Sequence, residues 1–158
     1  MPIPSTAILD NFNRADEGPP PSASFTTNSG TGLKVSANQC ISSASAPGPD
    51  SAAWSTSFPA DQECFVTIAT PPATAIDEIG VSVRMQTAAD YMSDHYQAEA
   101  VIVTGVDNDT IQVFKRAGGV WTQLGADIAL NADVAAGNRL AIQIIGSTGN
   151  NIEIFYDS

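Results

Sequence analysis

Positive charge is scarce in this chain. Lys and Arg together number 6 against 17 Asp and Glu, a formal net charge of -11. An acidic surface of this kind repels phosphate, which argues against direct nucleic-acid binding. It also disfavours anionic membrane surfaces. Cysteine is equally sparse, with Cys40 and Cys64 as the only two, so the chain is no disulfide-rich scaffold. Both lie in strand-like segments, where a free thiol acts as a small apolar residue. A Cys40–Cys64 bridge is the alternative, since sequence does not fix its geometry. No apolar run is long enough to span a membrane. Met1 leads into Pro2-Ile3-Pro4-Ser5, with no basic stretch and no apolar stretch of a signal peptide, so synthesis in a cytoplasm is expected. No internal repeat is present.

Histidine occurs once, at His95. A catalytic Ser-His or Cys-His pair needs a nucleophile beside it and a carboxylate to orient it. No Gly-x-Ser-x-Gly elbow is present and neither cysteine carries a local catalytic signature. His95 is therefore read as an exposed loop histidine. Gly30-Thr31-Gly32 lacks the third glycine and the strand–helix setting of a dinucleotide loop. Zinc spacing is absent as well. Glycoside hydrolysis needs two carboxylates across a bond. Asp77-Glu78 and Asp94 with Glu99 are the nearest acidic groupings, and both read as exposed charge.

What the chain does have is strand pattern. At 158 residues it is expected to be a single domain, 1–158, with residues 1–6 as an N-terminal arm. Charged residues make up 15%, so the surface is built largely from Ser, Thr, Asn, Gln and Gly. Ile8-Leu9, before the polar run Asp10 to Gly18, reads as a first strand. Pro19-Pro20-Pro21 ends regular hydrogen bonding. Residues 17–32 and 42–52, rich in Pro, Ser, Gly and Ala, read as surface loops. Alternation marks strands at Leu33–Ala37, Cys64–Ala69, Ile79–Met85, Thr110–Lys115, Val120–Leu124, Leu140–Ile145 and Ile152–Tyr156. Residues 96–104 admit a strand or part of a helix over 88–100. The β-branched run Val101-Ile102-Val103 and the turn signal Asp107-Asn108-Asp109 favour the strand. About ten short strands with frequent turns predict an all-β, antiparallel two-sheet β-sandwich or barrel.

Candidate ligand positions follow from residue type. Sandwich proteins that bind sugars use aromatic faces beside Asn, Asp and Gln. Trp121, after the Gly118-Gly119 turn, is the first candidate, and Tyr91, between Asp90 and Asp94, the second. Tyr96, Trp54 and Tyr156 are the others, each of which serves a core equally well. Asp107 and Asp109 are weak candidates for a calcium ion, which needs six to eight oxygens. An Asx-bonded turn is the favoured reading of that pair. No metal and no other cofactor is expected beyond that calcium option.

The order and spacing of several elements resembles concanavalin A-like jelly-roll domains of the type found in bacteriophage virion proteins. The elements are Leu9-Asp10-Asn11-Phe12-Asn13-Arg14-Ala15, Gly32-Leu33-Lys34-Val35, Asn38-Gln39-Cys40, Trp54, Asp61–Ile68, Ile79–Arg84 and Trp121 with Leu124-Gly125. Phe25 stands where such domains often carry Trp. Such domains also continue past the Tyr-Asp turn into further strands, whereas this sequence stops at Tyr156-Asp157-Ser158. The expectation is that the product is longer or that a neighbour covers the open edge by strand addition. The resemblance implies a non-enzymatic virion structural protein, a head decoration or tail-fibre domain. Its partners would be other virion proteins, its own copies in a homo-oligomer and a glycan. The alternative is a carbohydrate-binding, lectin-like module of a larger adhesin.

Overall fold

The computed structural model describes residues 6–44, 49–72, 76–105, 108–146 and 151–157. Among them every regular element is a strand. The chain is all-β with several antiparallel sheets, consistent with a β-sandwich, and its residues fall into two compact units.

One unit holds Ala7–Ser57 and Met85–Ser93. Its opening segment is not the strand that Ile8-Leu9 leads one to expect. Both residues are exposed, and the polar run after them folds onto itself. Asp10 Oδ1 accepts the Phe12 amide at 2.8 Å and Asn11 Oδ1 accepts the Asn13 amide at 3.0 Å. Successive side-chain-to-backbone turns of this kind take the place of a ladder, and Phe12 sits at φ 53°. Arg14 reaches back to Asp10 at 2.6 Å and holds its carboxyl below the usual range.

The first strand is instead β1 (Phe25–Ser29), inside a stretch whose composition reads as loop. It pairs with β4 (Ser51–Trp54), whose start also falls in a loop-like stretch, while β2 (Leu33–Ser36) pairs with β3 (Gln39–Ser42). Asp50 ties these pieces together. Its carboxylate accepts the amides of Thr31 at 2.8 Å, Gly32 at 3.2 Å and Ala44 at 2.9 Å, and the Ser42 hydroxyl at 2.5 Å. Desolvation pushes the Asp50 carboxyl up, but the bonds from Ser42, Ala44, Thr31 and Gly32 together outweigh it and hold the group low. Gly32 is required here by its φ of +84°, and a Cβ on it would lie 2.6 Å from the Thr27 side chain.

The other unit takes Phe58–Arg84 and Asp94–Ser158 with the N-terminal residues through Thr6. It contains β5 (Gln62–Thr67), β6 (Asp77–Val83), β7 (His95–Ile102), β8 (Thr110–Ala117), β9 (Val120–Gln123), β10 (Ile128–Ala129), β11 (Arg139–Ile145) and β12 (Asn151–Asp157). The strand reading of 96–104 is the one the fold adopts, up to Ile102. One sheet runs β10-β8-β7-β6, with β9 also on β8, and a second runs β12-β11-β5. Period-2 side-chain alternation sends Val81, Val83, Ala98, Ala100, Ile102 and Ile111 from the first sheet into one cluster with Leu140, Ile142 and Ile144 from the second. Ile68 and Val134 complete it. Each fully buried Ile or Leu contributes about 1.5–3 kcal/mol over the exposed side chain.

Asp109 is buried at one end of this unit. Its two carboxylate oxygens accept the amides of Val103 and Val134, both at 2.7 Å, and its carbonyl accepts the Leu130 amide at 2.9 Å. It fixes the entry to β8 and anchors the chain beyond β10.

Candidate functional site

The five-stranded sheet has a second face, turned away from the core. Antiparallel register places its side chains in rows. The first row is Trp121 (β9), Arg116 (β8) and His95 (β7). The second is Gln123, Phe114, Gln97 and Ser82. The third is Gln112, Glu99 and Gly80, and the fourth is Thr110, Val101 and Glu78. The residues in these rows alternate with the core residues along β6, β7 and β8, so a single strand periodicity builds both surfaces.

This face is polar, yet its centre is buried. His95, Gln97, Glu99 and Arg116 are each less than a tenth exposed. Along β7 the groups touch in series: His95 Nε2 lies 3.4 Å from Gln97 Oε1, and Gln97 Nε2 donates to Glu99 Oε2 at 2.5 Å. Burial pushes the Glu99 carboxyl up, the charge of Glu78 adds to this, and the bond from Gln97 opposes it. Gly80, directly across from Glu99, brings no side chain. A Cβ there would meet Gln97 Nε2 and the Glu99 Cβ at 3.4 Å. On the other side Asp127 joins β8 to β9, accepting from Gln112 at 3.1 Å and Gln123 at 2.6 Å.

The first row is the aromatic and cationic end. Trp121 stands edge-on to His95, ring centroids 5.0 Å apart at 86°, and edge-on to Phe114 at 6.1 Å. The Arg116 guanidinium lies 5.6 Å from the Trp121 ring centroid. Such a contact stabilises by about 0.5–2 kcal/mol. Yet Nε and Nη1 of Arg116 are buried with no hydrogen-bond acceptor among the described residues. Unpaired buried charge costs several kcal/mol, so the cation–π contact alone does not balance it.

The residues predicted from sequence separate. Trp121 joins the face and is 37% exposed. Tyr96 points the other way, packed on the core, with Lys115 Nζ 5.8 Å from its ring. Tyr156 also packs on the core and its hydroxyl donates to Asn138 Oδ1 at 2.9 Å. Trp54 belongs to the other unit, opposite Phe25 and edge-on to it at 5.0 Å. Tyr91 is in that unit too, its amide donating to the Asn28 carbonyl. His95 is no exposed loop residue. It opens β7 and is 2% exposed. Of the calcium candidates, Asp107 lies outside the described residues. Asp109 is buried, and each of its oxygens accepts a backbone amide. Among the described residues no group of three or more His, Cys, Asp and Glu converges as metal ligands would.

Both cysteines are free. Burial pushes the Cys64 thiol up to about 11 and does the same for Cys40. Two open hollows on the other unit, about 230 and 320 Å³, are lined by Asp16 to Gly18 with Lys34 to Ser36 and by Ile8 to Asn11. Asp16 in the first is already engaged by the Ser36 hydroxyl and the Ala37 amide.

The sequence points to Trp121 and reads His95 and Glu99 as exposed, whereas both are buried here; Gln97, Gln112, Phe114, Arg116 and Gln123 carry no motif that marks them. The signal that was available is spacing: His95-x-Gln97-x-Glu99 and Gln112-x-Phe114-x-Arg116 alternate with apolar or core-facing residues. No protein-family model, no curated protein and no solved structure matches this chain.

Proposed function

We propose that the eight-strand unit is a non-catalytic carbohydrate-binding module of jelly-roll type whose ligand lies along the polar face of the five-stranded sheet. The observation that carries this is the face itself. Amide, carboxylate, imidazole and guanidinium groups stand in register on rigid strands, ending at a partly exposed tryptophan. Sugars need this combination. Their hydroxyls pair with amide and carboxylate groups that donate and accept, and their C–H faces stack on indole.

Binding rather than turnover is the reading because Glu99 and Glu78, near enough for the Glu78 charge to raise the Glu99 carboxyl, stand in neighbouring rows of the same sheet face and do not face each other. Glu99 has Gln97 beside it on β7 and Gly80 and Gln112 across from it. Cleavage of a glycosidic bond needs two carboxyl groups facing each other across the bond. The test is a titration of the purified protein with a panel of oligosaccharides. Saturable binding lost in Trp121→Ala, with no release of reducing ends, supports the reading. Absence of binding across the panel refutes it.

A second reading is a bacteriophage surface protein that docks on neighbours in the virion. It draws on the sheet edge, where all of β9 and β10 is exposed and Val120 and Ile128 are 64% and 50% accessible. An exposed sheet edge that carries apolar side chains offers a place for another chain to pair. The absolute mass in solution tests it: a defined oligomer favours it, a monomer at high concentration opposes it.

A further inference from the structure

We propose that the Arg116 end of the polar face reads a carboxylate, so that the ligand is an acidic glycan containing uronic-acid-type sugars. This rests on the carbohydrate reading above and adds the chemical class of the ligand.

Three observations converge. First, Arg116 is 5% exposed and its Nε and Nη1 have no acceptor among the described residues. A guanidinium presents five N–H donors in a planar fork that matches a carboxylate, and the pair is strongest where water is excluded. Second, the residues facing Arg116 across the strands are His95 and Trp121, neither of them an anion. Asp94, which immediately precedes β7, accepts the Gly118 amide on Oδ1 at 2.9 Å. Third, the face is polarised. Asp127 bonds to Gln123 of the second row and Gln112 of the third, Glu99 stands in the third and Glu78 in the fourth, and none of these acids belongs to the first. The four residue steps of β8 from Arg116 to Gln112 span about 13 Å, enough for more than one sugar ring. An oligosaccharide can therefore set its carboxylate at Arg116 and its hydroxyls at Gln112 and Gln123, the more accessible amides of the face.

Trp121 covers the guanidinium, so its indole is the element that shifts when the carboxylate enters. It belongs to a four-residue edge strand in which every residue is exposed. Motion there costs less than motion in β7 or β8.

The experiment is calorimetric titration of the full chain with three matched oligosaccharides: a neutral one, its uronic-acid counterpart and its sulfated counterpart. We expect the uronide to bind at least ten-fold tighter than the neutral sugar and tighter than the sulfated one. In Arg116→Gln, whatever the change in neutral-sugar affinity, the ratio of uronide to neutral affinity should fall to near unity. A neutral sugar that binds as well as the uronide, or a preference that survives Arg116→Gln, overturns the proposal and leaves the carbohydrate reading standing. A stronger sulfated ligand overturns the carboxylate assignment. If none of the three binds, this proposal and the carbohydrate reading both fail. A second measurement needs no variant: in the wild-type protein the Arg116 Nε–H NMR resonance should move on adding glucuronate and stay in place on adding glucose. An unmoved resonance counts against the proposal.

Discussion

The imidazole of His95, 2% exposed, stands perpendicular to the Trp121 indole, with ring centroids 5.0 Å apart at 86°. The two residues sit on strands separated by β8, and Arg116 lies between them in register. This three-residue row is where aromatic surface, buried cation and partial exposure coincide.

Trp121→Ala should therefore separate binding from folding. Removing the ring forfeits its contacts with His95 and Phe114, about 0.5–1.5 kcal/mol each, and the Arg116 contact, a loss measurable by chemical denaturation. Oligosaccharide affinity should drop at least ten-fold in the same protein. Equal losses in Tyr96→Phe would be unexpected, because Tyr96 faces the core.

Asp109 makes the opposite prediction. Both carboxylate oxygens accept buried or half-buried backbone amides, and a charged acceptor contributes about 1.5–3 kcal/mol per bond. Asp109→Ala should destabilise by about 3 kcal/mol or more, with a matching fall in the denaturation midpoint. Calcium should give no compensating stabilisation to the wild-type protein. A rise in melting temperature with calcium that vanishes in Asp109→Ala would contradict this account of the residue.

The pH dependence has two parts of opposite sign. Burial, then the Glu78 charge, raise the Glu99 carboxyl in the folded state. The folded protein then holds that proton more tightly than the unfolded chain does. Ionised Glu99 is a cost that is fully present above its folded pKa and gone below the unfolded value near about 4.3. Glu99→Gln should stabilise at neutral pH, and the gain should shrink as pH falls through the carboxylate range. Asp50 and Asp10 are lowered, so their contribution is present above the unfolded carboxylate value and is lost as pH drops toward their folded values. Denaturation midpoints of wild type and Glu99→Gln across this range check both signs.

Thiol chemistry offers a fold-wide check. With Cys64 pushed up to about 11 by burial, its thiolate at pH 8 is about two orders of magnitude scarcer than that of an ordinary cysteine. Labelling of Cys64 in the native protein should be slow, and both cysteines should react at once in denaturant. A disulfide-bonded product under non-reducing conditions would contradict the free thiols.

Much of the eight-strand unit was legible in the sequence because alternation and burial coincide there. Ile79-Gly80-Val81-Ser82-Val83 shows its core face by spacing alone, and the strand reading of 96–104 followed from its β-branched end. The four-strand unit was less legible. Phe25–Ser29 becomes a strand by pairing with Ser51–Trp54, and its Thr, Asn and Ser residues show no apolar alternation. Ile8-Leu9 misled because Asx turns at Asp10 and Asn11, local hydrogen bonds invisible to hydropathy, claim the backbone. The candidate face was half-legible. Trp121 was singled out for its place after a Gly-Gly turn. The burial of His95 and Arg116 arises from cross-strand register, which no single strand carries in its own sequence.

The most direct test of the central claim is an NMR titration of isotope-labelled protein with an oligosaccharide panel. The account predicts saturable shifts of the Trp121 indole N–H and of the side-chain amides of Gln97, Gln112 and Gln123, with the core strands β11 and β12 unmoved. Shifts centred on Trp54 and Tyr91, or none at any sugar concentration, would contradict it.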